Sequence, residues 1–399
     1  MRYRHIACLD DLTRPGIGPD CERLYDLVRV PVWHSSGIDI AKSPRDGQRH
    51  NLAPGFRADD FLALCGLPQR HWATLRHGLP PAAAQMLRAA LPADALVLGA
   101  DMPPWLTTLL DEAGCDWLSL GISPLDFGGE RWFAARSGSP LLQAVLQAAA
   151  VPEAELLTHA CLRAASVRHR RRSAGAGDDW NGALVWLGQA EEDPALVDSQ
   201  GRFVRAEAHA DALRTAAADR VLLHCPQQPG SRWADHERAV LARLTGQPVP
   251  VCDAPLADLL AGDEDLAFIG LNAPALQAAA WFGKPAISLL DAVDSGVLLP
   301  AAAVLSEPLW AALLTDAPAR AGAVVLPASA DTLARLLDAP ASTAAAPAMA
   351  PAPAPADSAL AQALDIERQR VDDLRLEIEG LKEALRVVLR QHAMAVAHA

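Results

Sequence analysis

Residues Phe268–Pro285 read FIGLNAPALQAAAWFGKP, and this stretch decides how the second half of the chain is interpreted. A short apolar run stops at Gly-Leu-Asn-Ala-Pro, an Ala-rich run of helical character follows, and Gly-Lys-Pro precedes another apolar run, AISLL. Short apolar runs that alternate with helical segments are typical of strands buried on both faces of a parallel sheet. The stretch therefore predicts a strand, a turn and a helix of an α/β domain.

The same alternation recurs along most of the 399 residues, which are more than one ordinary domain holds. We predict an α/β fold with two Rossmann-like lobes, whose strands include RVPVW, ALVLGA and DWLSLGI in the first lobe and GALVWLG, RVLLHC, PVPVC, LAFIG, AISLL and AVVLP in the second. The predicted segments are an N-terminal lobe at 1–165, a basic hinge at 166–180, a second lobe at 181–338, an Ala/Pro linker at 339–357 and a coiled-coil helix at 358–392.

The hinge, SVRHRRRSAGAGDD, is expected to be a solvated linker, and contact of its arginines with an anionic ligand or a lipid surface is the alternative. After it and the second lobe, the Ala/Pro linker predicts an extended spacer. The coiled-coil helix repeats apolar residues in steps of three and four, broken only at Glu367. Because the Ala/Pro linker separates this helix from the second lobe, no neighbouring apolar surface of the same domain is available to cover its apolar face. We expect a homo-oligomer, with pairing to another protein or docking onto the lobes as alternatives.

Composition excludes several classes of protein. The formal net charge of −13 argues against a nucleic-acid partner, because phosphate backbones are bound by basic surfaces. No run of about twenty apolar residues could span a bilayer, and no apolar core of a signal peptide follows the N-terminus. We expect a cytoplasmic protein, with a peripheral location at the inner membrane as the alternative. The seven cysteines lack metal-ligand spacing, so we expect them to be reduced and packed, with no metal.

Polar residues follow the predicted strands of the second lobe, where open parallel sheets bind their ligands. They are Gln189 to Asp193, His224 to Gln227, Asp253, and Asn272 to Pro274. A helix that begins after Asn272, with Pro274 in its first turn, would direct backbone N–H groups at a phosphate. An ordinary helix start is the alternative interpretation. No GxGxxG or GxxxxGK[ST] motif is present, which argues against dinucleotide oxidoreductases and P-loop NTPases.

Four sequence groups occur in the order of a known family. GADMPPW resembles its Gly-x-Glu-x-Pro strand end, GQAEED its Gly-Gln followed by Asp, VLLHCPQ its strand end at His-Pro, and LNAPALQAAAWFGKP its Ser-led turn, Glu-Ala helix and Gly-Lys-Pro. SPLDFGGERWFAARSGS resembles a further segment of the family, Pro-x-Arg-Phe-x-x-Asp-x-x-Phe-Ala. Over most of residues 95–295 the chain is similar to the GT-B glycosyltransferases of capsule and lipopolysaccharide synthesis, in particular the bacterial β-Kdo transferases that use CMP-Kdo.

The resemblance implies a retaining transfer from a nucleotide sugar to a polysaccharide or glycolipid acceptor, without a metal or other cofactor. It implies Asp193 as the nucleophilic carboxylate and either Glu130 or Asp101 as general acid/base. The implied nucleotide-binding residues are Gln189, His224, Cys225, Pro226, Asp253, Asn272, Ala273 and Gln277. Trp33 to Ser36, expected in a polar loop after RVPVW, would line the acceptor side, and an ordinary exposed loop is the alternative.

The chain departs from the family pattern at several of these positions. Cys225 stands at the histidine, Asn272 or Ala273 at the serine, Gln277 and Asp101 at glutamates, Asp126 at the arginine and Glu130 at an aspartate. Because a thiol donates to a phosphate far more weakly than an imidazole, these changes motivate an alternative function. The alternative is a GT-B-shaped scaffold or assembly subunit of a polysaccharide synthesis complex. A UDP-sugar 2-epimerase is a third hypothesis, against which the missing glutamate at Gln277 counts.

Overall fold

The computed structural model of the chain describes residues 2–44, 50–123, 132–174, 180–216, 219–225, 231–291 and 296–315. In chain order, the strands are β1 His5–Cys8, β2 Ala95–Ala100, β3 Trp117–Ile122, β4 Trp132–Arg136, β5 Leu184–Leu187, β6 Val221–His224, β7 Ala267–Gly270, β8 Ala286–Ser288 and β9 Val297–Pro300. The α-helices are α1 Gly18–Ser36, α2 Ala58–Cys65, α3 Pro81–Ala90, α4 Pro104–Glu112, α5 Pro140–Ala148, α6 Glu153–Ala174, α7 Ala210–Ala216, α8 Arg232–Thr245, α9 Leu256–Ala261, α10 Ala275–Trp281, α11 Ala301–Val304 and α12 Glu307–Leu314.

The chain divides into two units, each built on one sheet, so the α/β fold with mainly parallel sheets is confirmed. The first unit contains the sheet β1-β2-β3-β4-β9. β1, β2 and β3 run parallel, whereas β4 pairs antiparallel with both β3 and β9. The first lobe was predicted as simple βα alternation, and β4 departs from it because it runs antiparallel to its neighbours.

Both faces of the first sheet are covered. In β1, Ile6 and Cys8 belong to a buried cluster with residues of α1, α5 and α12, whereas Ala7, together with Leu9 just after the strand, belongs to a second cluster with residues of α2, α3 and α4. Successive strand residues point to opposite faces, so a strand with helices on both sides must be apolar at every position. The run ALVLGA of β2, buried throughout, follows the same rule.

The second unit contains the sheet β6-β5-β7-β8, in which β5 lies between β6 and β7 and runs parallel to both. β5 and most of β7 are buried, as predicted for a two-sided parallel sheet. Two predicted strands differ from this expectation. PVPVC contributes a single bridge between Val251 and Leu223, and β8 is exposed along its whole length at the edge of the sheet.

Local sequence signals explain the bounds of the helices that border the second sheet. Ser231 caps α8 by accepting a 3.1 Å hydrogen bond from the Ala234 amide, and Gly246 ends the helix in the left-handed conformation with φ 72°. Serine at the start and glycine at the end satisfy backbone groups that the helix itself leaves unpaired. The helix α8 therefore begins and ends at the residues that these caps predict.

The predicted basic hinge is largely wrong. Residues 166–174 form the C-terminal part of the 22-residue helix α6, which packs against α9 within the second unit. Arg171 Nη2 lies 2.5 Å from Glu264 Oε1 and Arg168 Nε lies 2.6 Å from Asp263 Oδ1, while Arg170 also pairs with Asp258. The basic run is helical because acidic residues about ninety positions later neutralise it.

The unit boundaries also differ from the predicted lobes. With the gaps given above, the first unit spans residues 2–152, 189–210 and 288–315, and the second spans 153–188 and 211–287. Segment 189–210 belongs to the first unit because Val197 and Phe203 pack on Trp72 and Ala73 of a 3-10 helix, Trp72–Leu75.

The loop expected at Trp33 to Ser36 is instead the last turn of α1, and the run RVPVW is helical as well. The turn is fixed against α12 within the first unit: His34 Nδ1 lies 2.9 Å from Glu307 Oε1, and the Ser35 hydroxyl lies 3.0 Å from the Glu307 carbonyl oxygen. An acceptor-binding loop is thus excluded at these residues, although Trp33 keeps 51% of its surface exposed.

The linker, the coiled-coil helix and the predicted strand AVVLP all lie outside the described residues. Within the part that the structure describes, none of the helices combines the length and apolar character needed to cross a bilayer. The cysteines there are free thiols; Cys161 is exposed, Cys115 and Cys225 are half-buried, and the remaining four are buried.

Candidate functional site

The carboxyl edge of the second sheet brings together several predicted residues. Gly188 follows β5, His224 ends β6, and Asn272 comes two residues after β7. The chain passes from β5 to β6 on one side and later reaches β7 on the other side of β5. This reversal creates a topological switch point between β5 and β7, at which open α/β sheets form their ligand crevice. Gly188 and Asn272 flank it.

Gly188 allows a buried carboxylate to approach the end of β5. A Cβ atom at this position would lie 2.6 Å from Glu237 Oε2 and 3.5 Å from Cys225 Sγ, so a larger residue would collide with the α8 side chain. Glu237 is 7% exposed, and its Oε1 accepts a 2.9 Å hydrogen bond from Trp186 Nε1. Glu237 was not predicted from the sequence, because a glutamate inside a helix with many charged residues carries no local sign of burial.

His224 is a half-buried imidazole at the end of β6. Burial lowers its pKa, and a hydrogen bond to the Cys252 backbone partly opposes this effect. Its Nδ1 atom is buried and has no hydrogen-bond partner among the residues that the structure describes. The ring is therefore a neutral polar group near neutral pH. Cys225, the next residue, is half-buried, and Pro226 lies outside the described residues.

The turn before α10 contains the other predicted nucleotide-binding residues. Asn272 and Ala273 are buried, and Gln277 is half-buried on the helix. Pro274 precedes α10 instead of occupying its first helical position, and α10 has only seven residues. A helix of only two turns has a weak macrodipole. The phosphate-binding site predicted at the start of α10 therefore loses its main physical support. Asp253 is exposed after the Val251 bridge.

Asp193 and Gln189 lie together in the first unit. Asp193 caps a 3-10 helix, Pro194–Leu196: its Oδ1 accepts a 2.9 Å hydrogen bond from the Ala195 amide, and its Oδ2 accepts one of 2.9 Å from Gln189 Nε2. Both carboxylate oxygens are thus hydrogen-bonded within the segment. The structure gives Asp193 a capping role, and its catalytic role stays a prediction.

Asp101 follows β2 in the first unit and has an unusual backbone conformation, with φ 43°. Its carboxylate rests on β3, because a Cβ atom at Gly121 would overlap Asp101 Oδ1. Desolvation raises the pKa of the carboxyl, and nearby guanidinium groups lower it. The exposed surface of the residue shows that this desolvation is only partial. Glu130 lies outside the described residues.

The guanidinium groups near Asp101 belong to Arg136, Arg76 and Arg14, none of which was predicted as a site residue from the sequence. Arg136 Nη2 donates a 3.2 Å hydrogen bond to the carbonyl oxygen of Met102, directly after β2. The Arg14 guanidinium carbon lies 5.3 Å from the ring centroid of Trp72. The three arginines are far apart in sequence, so no motif could reveal that they converge.

No described group of three or more histidine, cysteine, aspartate or glutamate side chains is arranged to hold a metal ion. Comparison with known proteins gives no family model that matches the chain and no match among curated proteins. Among solved structures, the chain is similar to KpsC of Thermosulfurimonas dismutans, a beta Kdo 2,7 transferase, with 14% sequence identity and a TM-score of 0.30 over 52% of this chain and 68% of that one. A likeness this distant carries no functional argument.

Proposed function

We propose that the chain is a glycosyltransferase whose second unit binds a nucleotide sugar at the carboxyl edge of its parallel sheet. The observation that supports this proposal most is the switch point between β5 and β7, flanked by Gly188 and Asn272. Helices leave the sheet in opposite directions at such a point, and a crevice remains in which backbone groups are free to contact a ligand. Asn272, buried at this edge, supplies a side chain suited to hydrogen bonding.

The finer proposal is that the donor is CMP-Kdo and the acceptor is an envelope polysaccharide or glycolipid. It rests on the order of the sequence groups GQAEED, VLLHCPQ and LNAPALQ. In this proposal the phosphate binds near Pro226 and Asn272, and the cytosine base binds near Asp253. His224 and Cys225 would face the phosphate side, with the neutral imidazole as a hydrogen-bonding group.

The proposed reaction is a double displacement with retention. The Asp193 carboxylate attacks the anomeric carbon, the bond from that carbon to the phosphate oxygen breaks, and CMP leaves with the bonding electrons. An acceptor hydroxyl then displaces the carboxylate and gives its proton to a second carboxylate, Asp101 or Glu130. The raised pKa of Asp101 supports this second role, because a carboxyl with a raised pKa holds and releases a proton closer to neutral pH.

The alternative function is a scaffold or assembly subunit that no longer handles nucleotides. The hydrogen bonds of Asp193 favour it, because donors on both carboxylate oxygens reduce the availability of electrons for nucleophilic attack. The substitution of Cys225 for the family histidine points the same way, since a thiol is a weak donor.

Calorimetric titration of the full chain with CMP, CDP, UDP and GDP separates these functions. Selective binding of CMP supports the glycosyltransferase, binding of UDP alone supports the epimerase, and no binding of any nucleotide supports the scaffold. For a CMP binder, Asn272→Ala is expected to weaken binding. Asp235→Ala, on the exposed side of α8, is the matched control and should leave it unchanged.

A further inference from the structure

Three arginines of the first unit converge where β1 and β2 end. Arg76 follows the 3-10 helix Trp72–Leu75, and its backbone carbonyl accepts a 3.3 Å hydrogen bond from the Trp105 amide, in the first turn of α4. Arg136 reaches the same place through its hydrogen bond to the Met102 carbonyl. Arg14, six residues after β1, has its guanidinium over Trp72. Three separate parts of the chain therefore direct cations at one strand edge.

Two carboxylates accompany this arginine cluster, Arg14, Arg76 and Arg136. Asp11 is 2% exposed, and its Oδ1 accepts hydrogen bonds from the Thr13 hydroxyl at 2.5 Å and from Trp105 Nε1 at 3.4 Å. These donors hold Asp11 in place. Asp101 is the second carboxylate. Asp10, next in sequence to Asp11, influences Cys8 and Tyr25, which belong to the cluster with α1, α5 and α12.

The charges of the arginine cluster and its carboxylates do not balance. Among the described residues, the charged groups that act on Arg76 are Arg14, Arg136, Asp11 and Asp101, so three guanidinium groups stand against two carboxylates. Arg76 is half-buried, and among the described residues its side chain makes no hydrogen bond or ion pair. Desolvation, and then the neighbouring arginines, lower the pKa of Arg76, against the opposing effect of the two aspartates. A partly desolvated guanidinium without a close partner is unfavourable unless an anion binds it.

We propose that Arg76 and Arg136, together with Arg14, form a binding site for the carboxylate or phosphate group of a small anionic carbohydrate. One added negative charge would neutralise the cluster. The planar guanidinium fork binds either oxyanion through two parallel hydrogen bonds, which explains why arginine and not lysine occupies these positions. The exposed surface of Asp101 beside the cluster leaves room for hydroxyl groups of the same ligand to contact its carboxylate. This site does not depend on the proposed nucleotide site of the second unit.

The test titrates the full chain with D-glucuronate, glucose 6-phosphate and glucose, which share a hexose ring and differ in charged group. Saturable binding of either charged sugar, without binding of glucose, is the expected result. Glucuronate alone would identify a carboxylate ligand, and glucose 6-phosphate alone a phosphate ligand. Loss of a hydrogen bond to a charged group corresponds to a roughly tenfold to hundredfold change in affinity. Arg76→Ala and Arg136→Ala should each weaken binding by that factor, and Arg76→Lys by less.

Arg57→Ala removes an exposed arginine of the same unit and should leave binding unchanged. Circular dichroism spectra and melting temperatures identify any variant that fails to fold, and Arg76→Lys then gives the decisive comparison. Absence of saturable binding by both charged sugars, or binding that persists in Arg76→Lys and Arg136→Ala at wild-type affinity, would overturn the proposal. A parallel CMP titration tests the second unit separately, so failure of one site leaves the other intact.

Discussion

The indole Nε1 of Trp186 donates a 2.9 Å hydrogen bond to Glu237 Oε1 in the interior of the second unit. Trp186 lies on β5, one strand residue before the turn at Gly188, and Glu237 projects from α8. The bond thus couples the position of a covering helix to the strand end at which the candidate nucleotide site begins. A buried donor and a buried carboxylate satisfy each other here, so removing either has a larger effect than removing an exposed group.

Replacing Glu237 by alanine should lower the free energy of unfolding by about 1–3 kcal/mol, because it leaves the Trp186 indole N–H buried and unpaired. Glu237→Gln keeps an acceptor oxygen and should lower it less. Urea unfolding followed by tryptophan fluorescence measures both changes. Asp235→Ala on the same helix removes an exposed carboxylate and is the control, expected within about 0.5 kcal/mol of wild type. Equal stability of the alanine variant and the wild type would contradict a structural role for this hydrogen bond.

Two substitutions of Asp193 can distinguish its capping role from its proposed catalytic role. Asp193→Asn keeps an oxygen for the Ala195 amide and removes the charge, so we expect nearly unchanged stability and loss of CMP release from CMP-Kdo. Asp193→Ala should also lower the free energy of unfolding, by about 1 kcal/mol, since the cap is lost. Asp198→Asn is a matched control, because Asp198 Oδ1 accepts hydrogen bonds from the amides of Gln200 and Arg202 in the same segment. Wild-type CMP release by Asp193→Asn would rule out the nucleophile.

Stability should depend on pH through His224. Burial lowers its folded-state pKa below the ordinary value of 6.5, so between these two values the unfolded chain binds more protons than the folded one. The free energy of unfolding therefore rises with pH in this window and falls as the pH drops below 6.5. His224→Asn should reduce the difference in stability between pH ~5.5 and ~7.5, measured by urea unfolding. His236→Asn, an exposed substitution on α8, should keep the wild-type difference, and equal slopes in all three proteins would refute the prediction.

Neighbouring arginines of α6 should differ sharply in their contribution to stability. The side chains of Arg171 and Glu264 are 15% and 17% exposed, whereas those of Arg172 and Asp263 are 78% and 58% exposed. We expect Arg171→Ala to lower the free energy of unfolding by about 2 kcal/mol, because a mostly buried carboxylate loses a charged partner. Arg172→Ala should change it by less than about 0.5 kcal/mol. Thermal and urea unfolding measure the stability of both variants. A larger loss of stability in Arg172→Ala than in Arg171→Ala would contradict this prediction.

Much of the fold was predictable because its strands are short apolar runs bounded by turn residues. The predicted runs ALVLGA, DWLSLGI, GALVWLG and LAFIG all contain strands. RVPVW was misassigned, since β-branched residues indicate strands only where packing agrees. Leu24, Val28 and Val32, spaced by four, are buried along one face of α1 and carried the correct signal. The basic hinge failed for another reason: the acidic partners of its arginines are distant in sequence.

The candidate sites also contain both residues that the local sequence predicts and residues that only contacts distant in sequence bring together. His224 and Asn272 were predicted at a ligand edge because that rule needs only strand direction, which the apolar runs supply. The arginine cluster was not predictable, because Arg136 reaches Met102 only through the antiparallel register of β4 against β3. That register depends on contacts between strands, so the residues next to Arg136 in the sequence do not reveal it.

The segment 189–210 belongs to the first unit, although residues 153–188 before it and 211–287 after it both belong to the second. The polypeptide thus passes from one unit to the other after residues 152, 188, 210 and 287. Neither unit can be expressed as one uninterrupted gene fragment: a product ending at Pro152 would lack Val197 and Phe203, which cover Trp72, and the strand β9 that completes its sheet. Exchange of either unit for another domain during evolution would likewise need several new connections at the same time. We therefore expect the two units to have been inherited together.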